Sequence, residues 1–155
     1  MTRLSSRVKI RSKTKQIRRE IMGDYNKDNI FAKILRGEAP CVKIYEDADT
    51  LAFMDVMPQA EGHVLVIPKA EACDMMDLDG AMAQKLIVNV QKIARAVKSA
   101  LGCPGVMLAQ LNGSAAGQTV FHTHFHIIPR HDGVDLGFHA KNMVAPEALE
   151  KIAEK

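Results

Sequence analysis

Residues 121–130 read FHTHFHIIPR, so His122, His124 and His126, half of the chain's six histidines, stand at alternate positions just before a proline. Imidazole is the side chain best suited to act as nucleophile, base, acid or metal ligand near neutral pH. On a β-strand the three rings share one face, and Phe121, Thr123, Phe125 and Ile127 share the other. That gives one face to a site and a mainly apolar face to the core. A lone histidine would be read first as a hydrogen-bonded or exposed residue; three in line ask for a function.

Two chemistries compete for the row. Neutral imidazoles bind zinc, and an HxH pair on a strand can chelate it. At a rise of ~3.3 Å per residue, however, the outer two histidines are about 13 Å apart, and one ion strains to engage all three. Phosphate chemistry uses an extended row better, because the central imidazole can attack phosphorus while its neighbours bind oxygens and supply protons. The preceding loop, LNGSAAGQT, offers Gly113 and Gly117 for close backbone approach, with Asn112, Gln118 and Thr119 as polar contacts.

The row needs a sheet to hold it. VKIYED, TLAFMD and HVLVIPK are strand-like runs joined by short turns, and they predict an antiparallel meander. GVMLAQLN and VFHTHFHIIP add two more strands. Ahead of them DNIFAKILRG predicts a short helix, with Asp28 or Asn29 as N-cap, Phe31, Ile34 and Leu35 at helical spacing, and Gly37 as a stop. Between Asp79 and Leu101 the apolar residues Leu86, Val90, Ile93, Val97 and Leu101 recur every three or four positions and Gly102 follows, which predicts a long helix covering one sheet face. PEALEKIAEK predicts a terminal helix with Pro146 at its first position. The class is α+β.

Size and composition fit this plan. A chain of 155 residues, 47% hydrophobic and 25% charged, suits one soluble domain with a sizeable core. No apolar run approaches the ~20 residues that span a bilayer, and no secretory signal stands at the start. An intracellular protein without membrane partners is expected. Cys41, Cys73 and Cys103 are widely spaced and read as buried small hydrophobes rather than a disulfide frame or zinc site.

The formal charge of +3 conceals an asymmetry. Residues 1–21 carry Arg3, Arg7, Lys9, Arg11, Lys13, Lys15, Arg18 and Arg19 against Glu20 alone, so the rest of the chain is acidic. A basic tail on an acidic body argues against a nucleic-acid partner, which would select a basic patch on the folded surface. The tail is expected to be a disordered extension, or a reading frame that starts upstream of Met22; a mitochondrial targeting segment is the alternative.

HTHFHII resembles the signature of the HIT, or histidine-triad, family, and IFAKILRGEAP, YEDADTLAFMDVMPQAEGHVLVIPK and NGSAAGQTVFHTHFHIIPR extend the likeness over about residues 29–130. The resemblance implies a single HIT domain over residues 22–155, cytoplasmic, and similar to the purine nucleoside phosphoramidase branch and its bacterial relatives. It also implies a homodimer whose sheets join, and nucleotidyl-histidine chemistry at an α-phosphate without metal or cofactor. Carried onto this chain, His124 is the nucleophile, with Nε2 unprotonated and Nδ1–H held by a hydrogen bond. His63 and His126 contact phosphate oxygens, His126 being the first candidate to protonate the leaving group, and His122 buttresses the nucleophile. Asn112, Gly117, Gln118 and Thr119 would meet the phosphate or leaving group, Asn112 and Gln118 ahead of Thr119. Asp55 would accept from the ribose hydroxyls. Phe31, Ile34, Phe53 and Val56 would form the base pocket, for which a purine is expected.

Three departures bear on these expectations. Zinc-bearing relatives carry cysteines where this chain has Asn29 and Ala32, and a histidine where it has Glu71. Thr119 stands where many relatives have serine. The chain has no Trp, so the C-terminal aromatic of some relatives is absent, and His131 and His139 receive no role. The favoured activity is hydrolysis of a nucleoside phosphoramidate, AMP or GMP joined to an amine. The alternatives are a dinucleoside polyphosphate hydrolase and a nucleotide-binding or scaffold protein in which hydrolysis is incidental; a metalloprotein is a minor fourth.

Overall fold

Helix α1, Ile30–Leu35, is the first element of the computed structural model, which describes residues 25–135 and 143–155. The tail over residues 1–21 and His139 therefore lie outside the described residues. Of the two candidate caps the helix uses Asn29, whose side chain accepts from the Ala32 N–H at 2.9 Å.

The meander is present as β1, Lys43–Glu46, β2, Thr50–Met54, and β3, Val64–Pro68, followed after a long helix by β4, Gly105–Ala109, and β5, Phe125–Arg130. All pairings are antiparallel and the order is β1-β2-β3-β5-β4, so β5 is inserted between β3 and β4. The long helix α2, Gly80–Leu101, is capped by the Asp79 side chain on the Ala81 N–H and ends at Gly102 in the left-handed conformation. Helix α3, Pro146–Ala153, has Pro146 in its first turn. No helix among the described residues is long and apolar enough to cross a membrane.

Strand alternation divides the core in two. On one face Ala52, Met54, Val64, Val66 and Ile127 pack against the α2 stripe of Leu86, Val90, Ile93 and Val97. At ~1.5–3 kcal/mol for each fully buried aliphatic side chain, that stripe rather than helix propensity holds α2 on the sheet. On the opposite face Leu51, Phe53, Leu65 and Ile67 pack against Phe31 of α1. Asn89 breaks the α2 stripe usefully: its amide donates to Asp47 Oδ2 at 2.8 Å and Thr50 Oγ1 at 3.0 Å, tying the helix to the β1–β2 turn.

Gly62 sits at the junction of the two halves. Its φ of +82° favours glycine, and a Cβ there would lie 2.1 Å from Leu101 Cδ1 at the end of α2.

One strand is shorter than the sequence predicts. The run from Val120 pairs only from Phe125, with Val66 opposite Phe125, Leu65 opposite His126 and Val64 opposite Ile127. Further along, β3 ends at Pro68, which has no N–H to donate. The chain before Phe125 therefore turns to another partner, the Thr123 N–H meeting the Ala72 carbonyl at 2.8 Å.

Candidate active site

The histidines are collected on the α1 side of the sheet from three places. His126 is on β5, cross-strand from Leu65 and Ala109. His122 and His124 occupy the unpaired stretch before it, where Thr123 is fully buried with its hydroxyl on the Ala72 carbonyl at 3.2 Å. His63 stands just before β3, and its carbonyl accepts from the Asp55 N–H at 3.0 Å, so the ends of β2 and β3 hold Asp55 and His63 side by side. Ring centroids are 4.9 Å apart for His124 and His126 and 5.2 Å for His63 and His126.

The hydrogen bonds fix the tautomer of each ring, because a carbonyl can only accept and a backbone N–H can only donate. His124 Nδ1 lies 2.7 Å from the His122 carbonyl, so it carries the proton and Nε2 keeps its lone pair. His122 Nε2 lies 2.9 Å from the Pro68 carbonyl, so Nδ1 of that ring is an acceptor. It is met by the Tyr25 hydroxyl at 2.5 Å. His63 Nδ1 accepts from the Gln59 N–H at 3.1 Å, which puts the His63 proton on Nε2, 3.0 Å from His126 Nδ1. The remaining nitrogen of His126, Nε2, then bears a hydrogen.

Burial keeps these rings neutral. Desolvation pushes His63 down to about 3, with His126 and His124 adding to the effect, and pushes His122 and His126 down to about 4. His124 is lowered by desolvation too, opposed by the His122 carbonyl. Asp55 is raised by burial against the pull of the Met57 N–H on its Oδ1. Its Oδ2 is 3.4 Å from His63 Nδ1, an approach that becomes a salt bridge when His63 takes a second proton.

The other residues named from the sequence divide into groups. Phe31 touches His124 edge-on, centroids 5.1 Å apart, and also packs on Phe53, joining the row to the core. Phe31 and Phe53 are buried, Ile34 is half-buried and Val56 is exposed. In the glycine loop the two amides expected as contacts also bond within the protein. Gln118 is buried, donating to the Cys73 and Val120 carbonyls while its oxygen accepts from the Gly113 N–H. Asn112 accepts from the Met75 N–H and donates to Gln110. Both amides thus fasten the loop to residues 72–77, and Thr119 is the exposed one of the three. Gly117 takes a φ of +91° that lets the loop turn there.

Sequence reasoning missed Tyr25, the Gln59 N–H and the Pro68 carbonyl. Only Tyr25 left a signal, as one of two tyrosines in the chain.

Neither metal option suits the donors present. At the positions where zinc-bearing relatives have thiolates, Asn29 caps α1 and Ala32 is a buried methyl, while Glu71 faces Lys27 at 3.6 Å. Asp55, His63 and His126 each bring a ligand atom within 4.8 Å of the others. Both nitrogens of His63 are already committed, to Gln59 and His126, and an ion would have to break that chain.

A family model described as the HIT domain matches residues 36–133. The chain is 37% identical over 129 residues to the adenosine 5′-monophosphoramidase hnt1 of Schizosaccharomyces pombe, covering 81% of this chain and 93% of that protein. It is 42% identical over 103 residues to the adenylylsulfatase HINT3 of Arabidopsis thaliana, covering 66% of this chain and 52% of that protein. Among solved structures, a Hit-like protein from Bartonella henselae, described as involved in cell-cycle regulation, superposes with a TM-score of 0.79 at 48% identity, covering 84% of this chain and 95% of that one.

Proposed function

The chain belongs to the HIT family, and on that footing we propose that it hydrolyses a nucleoside 5′-phosphoramidate, AMP or GMP joined to an amine, through a nucleotidyl intermediate on His124. The observation that carries the proposal is the tautomer of His124: with Nδ1–H on the His122 carbonyl, the nucleophilic lone pair on Nε2 exists before substrate arrives.

The reaction runs in two displacements. His124 Nε2 attacks the α-phosphorus and the P–N bond to the amine breaks. An anionic phosphate raises the proton affinity of the rings beside it, so one proton enters with the substrate; on His63 Nδ1 it displaces the Gln59 N–H and faces Asp55 Oδ2 instead. His126 Nε2–H then passes to the departing amine while His63 Nε2–H moves to His126 Nδ1, leaving both rings neutral. Water next attacks the His124–phosphorus bond and gives its proton to His126 Nε2, releasing the nucleoside monophosphate. Asp55 accepts from the ribose hydroxyls, and the base lies toward Ile34 and Val56 beside Phe31 and Phe53. Positioning and electrostatic stabilisation supply most of the acceleration.

The amine substrate is favoured over a dinucleoside polyphosphate because the four rings are neutral in the empty site, whereas a nucleotide leaving group brings more negative charge to be balanced. The proposal keeps one domain over residues 22–155, the cytoplasm, and a homodimer formed through the free edge of β4, beside which Leu108, Ile87 and Val88 are exposed. The relatives named for phosphoramidase and adenylylsulfatase activity support the class of reaction.

The test is nucleoside monophosphate release from adenosine 5′-phosphoramidate in excess EDTA. Wild type should turn over, and His124→Ala should lose roughly 10³-fold or more in kcat. Equal rates would sink the assignment of the nucleophile, and no wild-type activity would move the substrate to polyphosphates or leave a binding protein.

A further inference from the structure

Ahead of α1 the chain passes over the first histidine of the row. The Tyr25 hydroxyl is 2.5 Å from His122 Nδ1, and the two rings meet edge-on with centroids 5.6 Å apart. The His122 ring is completely buried, so its Nδ1 depends on protein for a partner. Direction follows from the far side of the ring: Nε2 faces a carbonyl, at Pro68, and must hold the proton. Tyr25 is therefore the donor and Nδ1 the acceptor. Burial raises the phenol above its usual 10, which keeps the hydroxyl proton in place.

His122 is also the residue whose carbonyl holds His124 Nδ1–H. A single residue thus takes a hydrogen bond on its ring from Tyr25 and one on its backbone from the nucleophile.

We propose that Tyr25 is a positioning residue for His124, acting through the tautomer and placement of His122, an inference that rests on the nucleotidyl-transfer chemistry above. Removing the hydroxyl strands a buried lone pair. The ring cannot move its proton from Nε2 without setting a lone pair against the Pro68 carbonyl, so the deficit favours a second proton on Nδ1 and raises the pH at which it is taken up. The groups facing the two rings are His124, Glu71 with its Lys27 partner, Asn29, Cys73 and Arg36. Glu71 favours the imidazolium, and His124 opposes it. A cation at His122 would draw electron density from the neighbouring nucleophile.

The experiment compares wild type, Tyr25→Phe and Tyr25→Leu by ¹⁵N NMR titration of the His122 ring and by steady-state kinetics on adenosine 5′-phosphoramidate. Tyr25→Phe keeps the edge-on ring contact and loses only the donor. It should raise the pH at which His122 protonates and lower kcat by about tenfold, the worth of one hydrogen bond, with KM within about twofold. Tyr25→Leu should do both at least as strongly. A Tyr25→Phe titration that overlays wild type overturns the inference even if kcat falls, because packing alone would then explain the loss. The titration needs no turnover, so an inactive wild type would sink the proposed reaction while the hydrogen-bond role of Tyr25 was still being decided.

Discussion

His63 Nε2 points its proton at His126 Nδ1 across 3.0 Å, and the Gln59 N–H on the other nitrogen of His63 leaves that polarity no alternative. In the proposed reaction that polarity makes His126 the donor toward the substrate.

His126→Ala should therefore be selective. A leaving amine needs a proton and a nitrophenolate does not, so kcat should fall by about 10²-fold or more with an alkylamine and by much less with a nitrophenyl ester of the same nucleotide. Equal losses on the two substrates would show His126 working only as an oxygen contact.

Stability should depend on pH in the window where ordinary histidines titrate. His63, His122 and His126 are held at about 3, 4 and 4 in the folded chain against 6.5 unfolded, so the unfolded chain binds more protons through that interval. The contribution is complete above 6.5 and is lost as pH falls toward 4. Asp55, raised by burial, works in the opposite direction. Thermal melts should show Tm falling from pH 7 to pH 4.5, with a shallower slope in His63→Asn; a flat Tm in the wild type would contradict the neutral, buried row.

The proposed dimer has a single-residue probe. Leu108 is 47% exposed on β4, which among the described residues pairs only with β5, and Val88 is 64% exposed on α2. Light scattering should give twice the chain mass for wild type and the chain mass for Leu108→Asp, with unchanged circular dichroism. A monomeric wild type would dismiss the dimer.

The sequence was most legible where period and composition agree. The spacing of Leu86, Val90, Ile93 and Val97 predicts both α2 and its buried face, and the three runs before Pro68 predict the meander in its observed order. Legibility failed where the deciding partner is remote. Asn89 interrupts the apolar stripe for no reason visible in the sequence until Asp47 and Thr50 are brought to it, and Tyr25 meets His122 across 97 positions. The excess length given to the last strand has a similar origin: alternation in residues 120–124 is real, but pairing ends with the partner at Pro68. Gln118 and Asn112 are residue types suited to phosphate contacts, and only the fold reveals that their amides also fasten the loop to residues 72–77.

Gly62 and Leu101 leave less than one methyl group of clearance between the end of α2 and the residue that precedes His63. The entry to β3 is therefore a place where the fold asks for the lack of a side chain, on the side of the sheet opposite the histidines.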